Sequence, residues 1–95
     1  MEGDSVTLQT NTELQTEDWM MWTFGQPKTL IAQIDKRLER FSTFDVLDGR
    51  FRDRLTVDYQ TGSLTIINTR TTDSGLYRVI IRSRKATYRF NVIVS

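Results

Sequence analysis

The apolar residues of the chain recur mainly at every second position, which is the period of a β-strand. Near the carboxyl end, Tyr88, Phe90, Val92 and Val94 alternate with Thr87, Arg89, Asn91 and Ile93. Turn residues separate such stretches at the intervals typical of a β-sandwich. We therefore predict an all-β fold with two packed antiparallel sheets. The other predicted strands are DSVTLQT (4–10), WMMWTF (19–24), TLIAQID (29–35), FSTFDV (41–46), RLTVD (54–58), GSLTIIN (62–68) and GLYRVIIR (75–82).

The alternation also assigns an inner side to each strand. Only the segment 34–41 (IDKRLERF) has a helical alternative, and it is too short and uncapped to be stable alone. The residues expected inside are Val6, Leu8, Thr10, Met20, Trp22, Phe24, Leu64, Ile66, Tyr77, Val79, Ile81, Phe90 and Val92.

Length and charge narrow the classes of function. The 95 residues suit one domain, and no apolar run approaches the roughly 20 residues that cross a bilayer. Thirteen basic and twelve acidic side chains give a net charge of +1, whereas duplex-binding domains usually carry a stronger basic surplus. Nucleic acid is therefore not the expected partner.

The chain contains neither histidine nor cysteine. The commonest general base, the thiol nucleophile and the usual zinc ligands are consequently missing. The carboxylate pairs Asp53 with Asp58 and Glu13 with Asp18 are typical of turn and edge charges in a small β domain. We expect no enzyme activity, no catalytic residue, no metal site and no cofactor or small-molecule substrate.

Four positions show a characteristic spacing. Thr10 precedes Trp22, and Tyr77 closes the motif Asp-Ser-Gly-Leu-Tyr two residues before Val79. This arrangement resembles an immunoglobulin domain in which Thr10 and Val79 replace both cysteines of the inter-sheet disulfide. The long interval from Trp22 to Tyr77 leaves room for strands C′ and C″, so the resemblance is to the variable (V-set) type with its Greek-key sandwich. Residues 1–95 are then expected to be a single V-set domain with a truncated first strand.

The resemblance implies structural roles for several of these residues. Trp22 would be the core tryptophan of strand C, and Tyr77 would form a tyrosine corner at the start of strand F. Arg54 and Asp73 would form a partly buried ion pair at the lower end of the sandwich. Val79 suits a sheet interior, whereas the Thr10 hydroxyl needs a hydrogen-bond acceptor there.

Two longer stretches resemble a narrower group. WTFGQPKTLIAQIDKR (22–37) and FRDRLTVDYQTGSLTIINTRTTDSGLY (51–77) are similar to the membrane-distal domains of the SLAM and lymphocyte adhesion receptor family. Those domains commonly lack the disulfide, so the missing cysteines do not imply a cytosolic location. The resemblance implies an ectodomain fragment outside the plasma membrane, attached through a segment not in this chain. Its expected partner is another immunoglobulin-type domain, possibly a second copy.

In that family, binding uses the flat face of strands G, F, C, C′ and C″. Strict alternation in strand C′ would group Leu30 with Ala32 and Ile34. The resemblance instead predicts an irregularity after Leu30, and Trp19 has the alternative of lying under the preceding loop. The face is expected to be basic on the F and G side, through Arg78, Arg82, Arg84, Lys85 and Arg89, and mixed near Asp35, Lys36 and Glu39. The predicted partner-binding residues are Trp19, Met21, Thr23, Leu30, Gln33, Asp35, Phe41, Arg78, Ile80, Arg82, Thr87, Arg89 and Asn91.

A second class of function remains open at this point. Structural immunoglobulin domains of intracellular filament proteins also need no disulfide. They usually lack a full C″ strand, so the Trp22-to-Tyr77 interval favours the recognition domain.

Overall fold

Two antiparallel sheets form the fold in a computed structural model, which describes residues 1–10, 13–44 and 49–95. One sheet has the order β1-β6-β5 and the other has the order β4-β3-β2-β7-β8. The strands are β1 (Val6–Leu8), β2 (Trp19–Phe24), β3 (Thr29–Asp35), β4 (Arg40–Thr43), β5 (Leu55–Val57), β6 (Leu64–Ile66), β7 (Gly75–Ile81) and β8 (Ala86–Val92). Two short 3₁₀ helices, η1 (Thr71–Asp73) and η2 (Arg82–Arg84), flank β7.

The core lies between the two sheets and follows the predicted alternation. Trp22 and Val79 are fully buried and lie directly opposite each other on β2 and β7. The Trp22 ring packs 5.6 Å from that of Phe90, and its indole N–H donates to the carbonyl oxygen of Gly62 at 2.9 Å. Gly62 has a φ of 79°, and a Cβ there would overlap the thioether of Met20. Apolar packing therefore occupies the layer that a disulfide would cross.

Strand β3 contains the predicted irregularity. Trp22 pairs with Ala32, but Thr23 pairs with Leu30, so Ile31 is an extra residue in β3. Ile31 and Ala32 are both buried as a result, and Leu30 turns to the outer side. This is the geometry of a β-bulge, in which two residues oppose one.

Two predicted placements are wrong. Thr10 is half-buried and lies beyond β1, whose last ladder pair is Leu8 with Leu64, so Thr10 is not a core residue. Phe41 does lie on β4, but it pairs with the buried Ile34 and therefore points to the inner side of the sheet.

The turn between β3 and β4 sets that register. It spans residues 36–39, with Glu39 in the left-handed region at a φ of 52°. Phe41 reaches the rim of the sandwich, where it is 58% exposed and its ring lies 5.5 Å from that of Tyr59. The segment considered as a helix is thus a hairpin. Asp45 and Val46 of the predicted fourth strand lie outside the described residues.

The described part of the chain contains no helix long and apolar enough to cross a membrane.

Candidate protein-binding face

The outer side of the five-stranded sheet, called the outer face below, is built from three rows of side chains. Cross-strand pairing defines the rows, because directly paired residues project to the same side of a sheet. The first row is Arg40, Asp35, Trp19 and, just past β7, Arg82. The middle row is Ser42, Gln33, Met21, Ile80 and Thr87. The third row is Leu30, Thr23, Arg78 and Arg89.

The rows differ in chemistry. The middle row carries no charge, and its apolar members Met21 and Ile80 are half-buried by their neighbours. The third row places Arg78 directly opposite Arg89, an arrangement of like charges that costs stability in an isolated sheet. The outer face is therefore an apolar band between charged margins.

The three-stranded sheet has a different outer side. Its paired outward residues are Thr7, Thr65 and Thr56, and the hydroxyl oxygens of Thr7 and Thr65 lie 3.1 Å apart. This row is polar and hydrogen-bonded, with no aromatic side chain. Only the five-stranded sheet thus combines half-buried apolar side chains with charges, as interfaces do.

Trp19 begins β2 at one margin of the outer face. It is half-buried, and the Arg82 guanidinium lies over its ring at 5.1 Å from the centroid. A cation over an indole face is attracted by the ring quadrupole, which fixes both side chains without using the N–H groups of the guanidinium. The pair of Trp19 and Arg82 is therefore a preformed surface feature.

A buried carboxylate holds this pair in place. Asp18, directly before β2, accepts hydrogen bonds from the Gln15 backbone N–H at 2.6 Å, from the Ser83 hydroxyl and from Arg84 Nη2 at 2.7 Å. Ser83 and Arg84 follow Arg82 in η2. The Asp18 cluster thus joins the segment before β2 to the turn between β7 and β8.

The cluster also fixes the ionisation of Asp18. Burial alone would raise the pKa of this carboxyl, but the hydrogen bonds from Ser83, Gln15 and Arg84 outweigh that effect. The pKa of Asp18 is therefore held below its ordinary value. Arg84 also donates to the Glu13 carbonyl oxygen at 2.6 Å, so its charge serves this cluster rather than the outer face.

A second buried carboxylate lies at the other end of β7. Arg54 donates to both oxygens of Asp73, at 2.7 and 2.9 Å, and the Arg70 backbone N–H donates to the same carboxylate at 2.9 Å. Burial would raise the pKa of Asp73, but these bonds hold it below its ordinary value. The Tyr77 hydroxyl donates to the Asp73 carbonyl oxygen at 2.6 Å, and burial raises the pKa of that phenol. The structure thus contains the ion pair between Arg54 and Asp73 and the hydrogen bond of the Tyr77 hydroxyl that the resemblance implies.

No group of metal-ligating side chains occurs within the ranges that the structure describes.

A comparison of the sequence with family models identifies the family of this two-sheet domain. The model of the immunoglobulin V-set domain matches residues 1–93 of the chain. The chain belongs to the immunoglobulin V-set family. In its nomenclature β1 is strand B, β2 to β4 are C, C′ and C″, β5 and β6 are D and E, and β7 and β8 are F and G.

One solved structure similar to this V-set domain is the CD2-binding domain of CD58 (lymphocyte function-associated antigen 3). The two are 22% identical with a TM-score of 0.78, and the match covers 98% of this chain and 49% of that one. The domain thus spans about half the length of that chain, and this degree of identity shows the shared fold. No curated protein matches the sequence.

The structure brings most of the predicted face residues to one side of the V-set domain. Leu30, Gln33 and Asp35 project outward because of the bulge, and Asn91 pairs with Leu76 near the end of β8. Phe41 is the exception, since it projects inward. Partner binding by this face stays a prediction.

Sequence reasoning missed the part played by Asp18. The spacing grouped Asp18 with Glu13 as turn charges, although it is almost fully buried. Its partners Ser83 and Arg84 are distant in sequence, so no local motif indicates the contact. The one available signal was its position immediately before the first residue of a strand.

Proposed function

We propose that this V-set domain is a recognition module outside the plasma membrane that binds another immunoglobulin-type domain through its outer face. The observation that carries the proposal is the contrast between the two sheets. The β1-β6-β5 sheet presents a row of threonines, whereas the larger sheet presents the half-buried side chains of Trp19, Met21 and Ile80 together with charged residues at its margins. The three-stranded sheet packs against the opposite, inner side, where the core lies.

The similar solved structure supports the class of partner. The CD58 domain binds CD2, as its name states. The sequence resemblance to the SLAM and lymphocyte adhesion receptor family points in the same direction, and an extracellular location is part of the same proposal. We propose a binding role without catalysis or a cofactor.

An intracellular filament domain is the second candidate. That class usually lacks a full C″ strand, whereas this domain forms β4, which pairs with β3 over four residues, Arg40–Thr43. The presence of β4 therefore favours the recognition module.

The test uses a panel of V-set ectodomains from cell surfaces of the same organism, with this domain included, probed with the purified domain in multivalent form. We expect binding to at least one member, and we expect Ile80→Asp to weaken it by about tenfold or more, because a charge at the centre of an interface is costly. The matched control is Thr56→Asp on the threonine row. Equal loss in both variants, or no binding to any member, would contradict the proposal.

Sedimentation equilibrium from low micromolar to near-millimolar concentration separates a like from an unlike partner. A reversible dimer that Ile80→Asp disrupts would identify a second copy as the partner. A monomer throughout would direct the search to unlike domains on the panel.

A further inference from the structure

A groove lies at the margin of the outer face beside Trp19. It has a volume of about 220 Å³ and is lined by Glu17, Trp19, Arg37, Arg82 and Ser83. Its walls come from three separate segments, namely residues 17–19 at the start of β2, the β3–β4 turn and η2. The Asp18 cluster joins two of these segments, so the groove is preformed on that side.

The charges that line the groove are predominantly positive. Arg37 and Arg82 contribute guanidinium groups, and within the described ranges neither forms an ion pair. Glu17 is the one acidic residue in the lining. The nearby Asp18 does not add to the negative charge, because Arg84 neutralises it. Arg82 stacks on Trp19, which leaves its N–H groups available for an acceptor.

The other rows of the outer face are also mainly basic, with Arg40, Arg78 and Arg89 against the carboxylate of Asp35. Arg78 and Arg89 lie opposite each other in the third row, and a partner carboxylate near them would offset their repulsion. The carboxylate of Asp35 already accepts hydrogen bonds from the backbone N–H groups of Arg37 and Leu38. A second copy would therefore oppose one mainly basic face with another, which disfavours like pairing.

We propose that the groove receives a glutamate or aspartate side chain from an unlike immunoglobulin-type partner whose facing surface is acidic. The carboxylate would accept from the guanidinium groups of Arg37 and Arg82, while its methylene groups contact the Trp19 ring. This inference rests on the proposed function for the identity of the partner. The carboxylate preference of the groove is a property of this domain alone.

The experiment uses a blocked peptide as probe, acetyl-Ser-Glu-Ser-amide, with acetyl-Ser-Gln-Ser-amide as its uncharged match. Each is titrated into the ¹⁵N-labelled domain at low salt while the Trp19 indole N–H and arginine Nε–H signals are followed by NMR. We expect the Glu peptide to bind about three- to fivefold more tightly than the Gln peptide, the ratio of an exposed ion pair. Arg82→Gln should reduce the ratio to about one.

Lys85→Gln is the matched control, because it removes the same charge from the same turn but does not line the groove. It should keep most of the Glu preference. Equal binding of both peptides, no shifts at either tryptophan or arginine signals, or equal effects of Arg82→Gln and Lys85→Gln would overturn the groove proposal. A dimer of the unmodified domain lost on Arg82→Glu would overturn the choice of an unlike partner.

The two proposals fail in different ways. A groove without carboxylate preference, combined with Ile80-dependent binding on the ectodomain panel, would leave the proposed function intact. Carboxylate binding without any ectodomain partner would remove the proposed function and leave the groove as a property of the domain.

Discussion

Two buried carboxylates bracket strand β7, and the domain uses them differently. Asp73 lies just before the strand and Asp18 contacts the residues just after it. Each accepts from an arginine and from a backbone N–H, and each has a pKa below its ordinary value. The chemistry at the two ends is nearly the same.

Depth separates the two clusters. The side chain of Arg54, the partner of Asp73, is 6% exposed, whereas that of Arg84, the partner of Asp18, is 32% exposed. Removal of Arg54 would leave the buried carboxylate of Asp73 without a partner and out of reach of water. The guanidinium of Arg84, in contrast, is already partly solvated. The comparison indicates that the Asp73 cluster closes the sandwich and that the Asp18 cluster positions the groove.

Arg54→Ala tests the deeper cluster and should have the largest effect. It leaves the buried Asp73 carboxylate without its bidentate partner, so we expect a loss of about 3–5 kcal/mol in the free energy of unfolding. Arg54→Lys should lose less, because an ammonium keeps the charge but not the two parallel bonds. Chemical denaturation measures both.

Lys28→Ala in the exposed β2–β3 turn is the control and should change stability by less than about 0.5 kcal/mol. If Arg54→Ala is as mild as this control, Asp73 is solvated and the distinction between the clusters is lost.

Asp18→Asn tests the shallower cluster. We expect a loss of about 1–2 kcal/mol, because the neutral amide accepts more weakly and Arg84 can turn to water. The Trp19 indole N–H signal should shift as well, since Asp18 anchors the start of β2. Glu13→Gln is the control, as Arg84 bonds only the backbone carbonyl there. If Asp18→Asn lowers the free energy of unfolding as much as Arg54→Ala does, the two clusters contribute equally to stability and the distinction between them is lost.

The smallest expected effect is a change in how steeply the free energy of unfolding falls as the pH is lowered below about 4. Both carboxyls have folded-state pKa values below the unfolded value of about 4. Their contribution is therefore complete above about pH 4 and is lost as the pH falls through the folded-state pKa values. Asp18→Asn should flatten this decline without abolishing it, because Asp73 remains. Urea denaturation from pH 7 to pH 2 measures the slopes, and an unchanged slope would mean that Asp18 has an ordinary pKa.

Sequence reasoning succeeded where structure is local or follows strand periodicity. The motif Asp-Ser-Gly-Leu-Tyr resembles the immunoglobulin pattern, and this resemblance predicts the tyrosine corner, in which the Tyr77 hydroxyl donates to the Asp73 carbonyl oxygen. The alternation in β2, β6 and β7 located Trp22, Ile66 and Val79 in the core. The alternation within each strand is sufficient to determine which side chains lie in the core.

Sequence reasoning failed where a long-range contact or a turn determines the position of a side chain. The partners of Asp18 are brought to it by the pairing of β2 with β7, which no spacing near residue 18 reveals. Phe41 was assigned to the wrong side because the phase of β4 depends on the turn at 36–39. Shifting the register by one residue moves every side chain of a strand to the other face.

The bulge at Ile31 has a consequence for engineering. Deletion of this single residue would join Thr29 and Leu30 to the remainder of β3 in uninterrupted alternation. Leu30 would remain on the outer side beside Gln33 and Asp35, so the surface offered by strand C′ would stay the same while the core lost the buried Ile31 side chain. A library meant to vary that surface should therefore randomise Leu30, Gln33 and Asp35, and should keep the length of the strand constant.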